Sequence, residues 1–260
     1  MGDSLVLDAL KRRIARIGSG FHPSVQGDFA TGSSDPDTIL HNGLVGGRLH
    51  ELYAAEIDDA PSAAGFAAML ALRVKAGPLA WLRTEAAERR MGQLYMPGLA
   101  ELGGDPGSSI LALLPDDRML LRAAADAAAC SGLGALVVEA WGEAPLLTLT
   151  VSRRLALAAE KSGVTLFLLR VGAEPLPSAA TTRWRIAAAP SLAMAANAPG
   201  HSMIDVELLR RRSGPAGMRW QMEWNRDECV FRQPEISGAV AAMAERREAD
   251  PRREYARRSA

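Results

Sequence analysis

The chain has 260 residues, 48% hydrophobic and 23% charged, and its 30 Lys and Arg balance its 30 Asp and Glu. That length suits one large α/β domain, or one domain with an appendage, and the apolar share is enough for a sizeable core. A net charge of zero excludes binding to nucleic acid or membrane through bulk charge, so any such contact needs a local patch.

Residues 1–18 predict a helix. Asp3 or Ser4 can cap it, Leu5, Leu7, Leu10, Ile14 and Ile17 form an apolar stripe, and Gly18 ends it. Its outer face carries Lys11, Arg12, Arg13 and Arg16, which suits either a solvated face or a docking or nucleic-acid arm. Residues 19–42 are rich in Gly, Ser, Asp and Pro and read as a linker or loose loop. His22 and His41 in that stretch have no cysteine or carboxylate at ligand spacing, so no metal site is expected there. The opening Met1-Gly2-Asp3-Ser4 lacks a secretory pattern, and no apolar run reaches the roughly 18 residues of a membrane span. Two distant cysteines, Cys130 and Cys229, suit a reducing compartment, so a cytoplasmic location without membrane contact is expected.

The core is expected over residues 43–233. A strand at 48–53 leads into a helix at about 63–75, where Phe66, Met69, Leu70 and Val74 share one face. A strand at 79–82 ends in Arg83-Thr84-Glu85, and a short helical piece at 94–102 stops at Gly103-Gly104. The run 110–114 is continuously apolar, as parallel strands buried on both faces require, and 135–139 and 164–169 read as the next buried strands. Helices at about 116–130 and 147–161 separate them, and this alternation predicts a doubly wound parallel sheet. The last third changes style. Strands at 183–188, 203–209 and 218–224 follow one another without helices. Met218, Trp220, Met222 and Trp224 alternate with Arg219, Gln221 and Glu223, the pattern of a half-buried strand. Turns at Ser213-Gly214-Pro215 and Asn225-Arg226-Asp227 make these strands antiparallel. The fold class expected is therefore α/β: a mostly parallel twisted sheet flanked by helices in three layers, extended by C-terminal antiparallel strands. Residues 234–260 predict one short helix and then a disordered tail from Pro251, which has too little apolar surface to offset ordering.

The corner after the first strand decides the chemistry. In nucleotide-binding α/β proteins it holds a phosphate with a loop of the form G-x-x-x-x-G-K-[ST], whose glycines let N–H groups approach and whose lysine neutralises charge. Here it reads Ala54-Ala55-Glu56-Ile57-Asp58-Asp59-Ala60-Pro61, with no glycine, no lysine and three acids. One carboxylate about 4 Å from a phosphate charge costs about 1 kcal/mol even in water. No cofactor is expected at this degenerate loop. Gly-x-Ser-x-Gly is absent, Cys130 ends an apolar helix, and His50 reads as a satisfied core or strand-edge histidine. Without a nucleophile, metal cluster or phosphate loop, the residues give catalysis no footing, and the expectation is a protein that is not an enzyme.

Binding has more to build on. Arg183, Trp184 and Arg185 fall together, as do Arg210, Arg211 and Arg212, with Trp220 and Trp224 near. Arginine and tryptophan are favoured both at protein hot spots and in single-strand grooves, so these six residues are the candidate partner or DNA contact. The bland alternative is a solvated strand end over a tryptophan-containing core. Arg153 and Arg154, and the arginines of the tail, are further basic positions.

Several stretches carry a resemblance. The order of 48–53, helix, then Leu79-Ala80-Trp81-Leu82-Arg83-Thr84-Glu85 resembles the ATPase core of RecA. Tyr95-Met96-Pro97-Gly98-Leu99, Leu147-Thr148-Leu149-Thr150-Val151-Ser152-Arg153-Arg154-Leu155 and Ser178-Ala179-Ala180-Thr181-Thr182-Arg183-Trp184-Arg185 are more specifically similar to the ImuA family. Those are RecA-like chains encoded with the error-prone lesion-bypass proteins of many bacteria. The resemblance implies a RecA-like fold and an adaptor role in SOS-type DNA damage tolerance. It implies an ImuB-like pseudo-polymerase and an error-prone DnaE-type polymerase as partners, with RecA itself as a further one; a weak single-stranded DNA contact is the expectation from the arginine and tryptophan residues above. Glu85 then stands where the fold keeps a water-activating glutamate, Glu139 where it keeps the magnesium-linked acid, and Arg170 where RecA senses the γ-phosphate. Ala54, Asp59, Ala60 and Pro61 stand in place of Gly, Gly, Lys and Thr, which removes the phosphate cradle. Two alternatives remain open at this point: a SulA-like division inhibitor that binds a tubulin-like protein, and a residual ATPase.

Overall fold

A computed structural model describes residues 28–41, 43–74, 77–191 and 200–234. The expected helix at 1–18, the first part of the linker and the expected helix and tail after Pro234 lie outside the described residues.

The described residues form a nine-stranded sheet in the order β3-β2-β4-β5-β1-β6-β7-β8-β9. Its first six strands are β1 (Leu49–Ala54), β2 (Leu79–Thr84), β3 (Ser109–Leu114), β4 (Ala135–Trp141), β5 (Thr165–Val171) and β6 (Thr182–Ala188), all parallel to one another. Strands β7 (Met203–Arg211), β8 (Met218–Asn225) and β9 (Val230–Arg232) continue it in antiparallel fashion, as the alternation in 218–224 predicts. Every residue of β1, β2 and β5 is buried, including His50 and Glu51 of β1, Arg83 of β2 and Arg170 of β5.

Helices α1 (Ser34–Ile39), α2 (Ala60–Arg73), α3 (Glu85–Met91), α4 (Met96–Glu101), α5 (Asp117–Ala128) and α6 (Leu149–Ser162) complete the described elements. Helix α2 lies on one face of the sheet, where Phe66, Met69 and Leu70 pack with Leu52, Phe167 and Trp184. Helices α5 and α6 lie on the other, where Leu120, Ala124 and Leu155 pack with Leu82, Val138 and Leu168. The layers are therefore helix, sheet, helix. On the α2 side the antiparallel strands contribute an aromatic cluster: Phe66 stands 5.3 Å from Phe231 and 6.3 Å from Trp184, and Trp224 stands 4.8 Å from Phe231 between ring centroids. Asp116, which caps α5, accepts a hydrogen bond from Met119 N at 2.8 Å.

Three expectations need correction. Residues 28–41 are not a loose linker. Phe29 pairs with Leu44 through two backbone hydrogen bonds, Asp37 accepts from Thr31 N and Gly32 N at 2.7 and 2.9 Å, and α1 follows directly. Arg73 ties the segment down by donating to Ala30 O at 2.9 Å and Cys229 O at 3.0 Å. Helix α2 begins at Ala60 rather than 63, because Pro61 sits comfortably in a first turn. Helix α3 was not expected: Thr84, read only as the end of a strand, caps it by accepting from Ala87 N at 3.1 Å.

Candidate functional site

The corner between β1 and α2 is built without a cradle. Ala55 N donates to Ile186 O at 2.7 Å, which holds the chain against β6. Residues Ile57–Asp59 then form a 3-10 turn that runs straight into α2. Asp59 accepts from Glu56 N at 3.1 Å and from Ala188 N at 2.7 Å. A protein carboxylate thus takes N–H groups at a corner where a phosphate would need them. A nest of N–H groups needs residues in the left-handed region, and none between 54 and 62 has a positive φ.

The acid on β4 is equally engaged. Glu139 is buried and accepts from Trp81 Nε1 at 3.1 Å, Arg83 at 3.2 Å and Trp141 Nε1 at 2.7 Å. Arg83 is buried as well and donates a second hydrogen bond to Gly92 O at 3.1 Å. Glu85, by contrast, is exposed at the start of α3 and pairs with Arg89 at 3.6 Å. The two acids that a RecA-like engine would use together therefore sit in different environments. The Arg83–Glu139 pair forms one side of an otherwise mostly apolar cavity of about 440 Å³ between α2 and the α3–α4 segment, where Met69, Leu94, Leu99 and Trp141 contribute walls. Trp81, Arg83 and Trp141 were not singled out from sequence. The signal was present: a charged residue inside a buried strand must find a partner, and Arg83 and Glu139 are the charged residues of β2 and β4.

A second buried pair lies on the α6 side of the sheet. Glu51 and Arg183 are register partners on β1 and β6, and Arg183 Nε donates to Glu51 at 2.8 Å. Arg183 also donates to Leu176 O and, at 3.1 Å, to Ser178 Oγ. Arg170 lies beside this pair. It donates to Gly142 O at 3.2 Å and Glu143 O at 3.1 Å, and the Arg170 and Arg183 guanidinium groups stand 5.8 and 5.6 Å from the Tyr53 ring.

This placement corrects the expected contact surface. Arg183 is 8% exposed and Trp184 1% exposed, so neither is available to a partner. Neighbouring residues of a strand point to opposite faces, which sends Trp184 into the aromatic core under α2 and Arg183 to Glu51 on the other side. Arg185 is exposed and pairs with Glu207 at 3.7 Å. Arg210 reaches Ser178 O at 3.4 Å, Arg212 reaches Ala179 O at 3.2 Å, and Arg211 donates to Ile39 O. The sheet does gather the two arginine runs, since Arg183 is in register with Arg210 and Thr182 with Arg211. What they do there is fasten the 176–180 loop and α1 through backbone carbonyls. Of the six residues, Arg185, Arg210 and Arg212 remain exposed.

His50 is a satisfied core histidine. Its Nε2 donates to Val45 O at 2.9 Å, while Nδ1 accepts from the Thr182 hydroxyl at 2.7 Å, which in turn accepts from Trp184 Nε1 at 2.8 Å. Burial, assisted by the nearby Arg48 charge and opposed by the Val45 hydrogen bond, pushes its pKa down from 6.5 to about 4. The unfolded chain therefore binds a proton that the native chain refuses between about pH 6.5 and 4. Stability contributed by the neutral ring is complete above pH 6.5 and is lost as pH falls through that window, by about 3 kcal/mol in all. Urea unfolding at pH 7.5 and pH 5 should show this loss, and the His50→Gln variant should show a shallower pH slope. An unchanged slope in the variant would contradict the assignment.

Among the described residues, no group of three or more His, Cys, Asp or Glu is arranged to hold a metal ion, and no helix is long and apolar enough to cross a membrane.

No protein-family model matches the chain. In fold it is similar to the RadB recombinase, with a TM-score of 0.55 at 15% identity over 80% of this chain and 100% of that one. That likeness places the helix-sheet-helix core and its strand order among RecA-like folds. In sequence the chain is similar to Protein ImuA of Caulobacter vibrioides, in the strains NA1000 / CB15N and ATCC 19089 / CIP 103742 / CB 15. The identity is 34% over 184 residues in both, which cover 65% of this chain and 67% of the relative. With a third of the residues identical across two thirds of the relative, the chain belongs to the ImuA family.

Proposed function

We propose that the chain is a non-catalytic RecA-like adaptor in SOS-type DNA damage tolerance, supporting error-prone translesion synthesis through protein contacts. One observation carries the reading: Asp59 at the corner after β1 and Glu139 on β4 are committed to the chain's own donors. Asp59 takes two backbone N–H groups, and Glu139 takes an arginine and two indoles. Phosphoryl transfer depends almost wholly on positioning and electrostatics, so a corner with Ala60 and Pro61 where the resemblance places lysine and threonine, next to the Asp59 carboxylate, has lost most of what the reaction needs.

The family resemblance supplies the partners: an ImuB-like pseudo-polymerase, an error-prone DnaE-type polymerase, and RecA as a further candidate. Exposed Arg185, Arg210 and Arg212 are the part of the arginine cluster able to reach a partner or single-stranded DNA. The reading is tested by co-purification of the full chain with the ImuB-like protein, alongside damage-induced mutation frequency in a strain lacking the chain. Co-elution and a loss of induced mutation are expected. Capture of a tubulin-like division protein, with induced mutation unchanged, would favour the division-inhibitor alternative.

A further inference from the structure

The carboxyl ends of β1 and β5 face a groove of about 660 Å³. In open α/β sheets ligands bind beyond the carboxyl ends of the strands, and in nucleotide-binding relatives of this fold the corner after β1 is positively charged. Here the polarity is reversed. The groove is lined by the carboxylates Glu56, Glu143 and Glu174 and by apolar Ile57, Pro145 and Leu176, with no Lys, Arg or His in its lining. Ile57 is 60% exposed and Leu176 55% exposed, the largest exposures of aliphatic side chains in the three loops that bound it. None of the three carboxylates has a cation at ion-pair distance among the described residues.

The walls are held firmly. Arg170 pins the loop after β4 through Gly142 O and Glu143 O, and Arg183 pins the loop after β5 through Leu176 O. Both arginines are buried beneath the groove, Arg183 paired with Glu51 and Arg170 spent on carbonyls and the Tyr53 ring. Among the described residues Arg170 has no carboxylate at ion-pair distance, so three carboxylates and this one buried cation leave the groove negative. A concave surface with exposed aliphatic side chains and carboxylates that have no cation partner among the described residues is complementary to a segment that carries arginine or lysine beside an apolar residue.

We propose that this groove docks a basic, apolar segment of a partner protein, seating a guanidinium or ammonium group between Glu143 and Glu174 with apolar contact to Ile57 and Leu176. The inference rests on the adaptor reading and gives that adaptor a docking site. It also reverses the sequence-based picture, in which the chain's own arginines meet the partner.

The test uses the full chain and the double variant Glu143→Gln with Glu174→Gln. Both side chains are exposed, and Arg170 bonds the backbone of Glu143 rather than its carboxylate, so the variant should fold. In the first arm, N-acetyl-arginine methylamide is titrated and amide chemical shifts are followed. Saturable shifts at residues 55–57, 143 and 172–176 are expected in the parent, with binding at least about tenfold weaker in the variant, because each lost carboxylate removes an interaction of about that worth. No saturable shift there, or equal binding by the variant, would overturn the proposal. In the second arm, affinity for the purified ImuB-like protein is measured, and the variant should bind about tenfold more weakly. Equal binding by parent and variant would sink the groove while leaving the adaptor standing. If the parent itself fails to bind, the adaptor reading is what falls, and the first arm alone decides the groove. If the chain's own basic stretch around Lys11-Arg12-Arg13 occupies the groove, shifts at those residues on introducing the variant would show it, and the partner proposal would be wrong.

Discussion

Replacing Arg183 with alanine should cost about 3–5 kcal/mol of folding stability, because it leaves Glu51 buried and unpaired. Glu51 is 2% exposed, and Arg183 is its salt-bridge partner. The loss extends past the pair, since Arg183 also holds Leu176 O and Ser178 Oγ and so anchors the loop after β5. Removing both charges together, as Glu51→Leu with Arg183→Met, should cost less than Arg183→Ala alone, because no ion is then left stranded in the core. Urea unfolding of the three proteins at pH 7.5 measures this. A cost below about 1 kcal/mol for Arg183→Ala would place the arginine at the surface and restore it as a contact residue.

Glu139→Ala should cost a similar amount, about 3–5 kcal/mol, because it leaves Arg83 buried without its carboxylate and two indole N–H groups without an acceptor. The same substitution separates two accounts of this acid. If Glu139 serves only structure, the melting temperature falls and the emission of Trp81 and Trp141 shifts as their surroundings loosen. If it served magnesium, its loss would remove an activity and leave the fold largely intact. A variant as stable as the parent would count against the structural role.

Much of the scaffold was legible because it depends on patterns a sequence displays. Continuous apolar runs marked β3, β4 and β5, and the alternation of Met218, Trp220, Met222 and Trp224 marked β8. The carboxylate-rich loop after β1 was legible too, since glycine and lysine are required there for a stated physical reason. What stayed hidden depends on pairing across the sheet. Arg183, Trp184 and Arg185 look like one basic-aromatic patch in sequence, yet the strand's alternation sends the first to Glu51 and the second into the core. Nothing local specifies that β6 lies beside β1 with Glu51 opposite Arg183. The 28–41 segment was hidden for the same reason. Its Gly, Ser, Asp and Pro composition is that of a linker, and its order comes from distant groups: Leu44, Arg73 and Phe231, which donates to Thr31 O at 3.0 Å.

A RecA-like corner that serves structure alone should neither hold nor turn over a nucleotide. The most direct measurement is magnesium-dependent ATP binding and hydrolysis by the purified full chain. No saturable ATP binding and no turnover above the buffer background are expected, with parent and Glu85→Gln indistinguishable. Turnover that disappears in Glu85→Gln would contradict it and establish the residual ATPase instead.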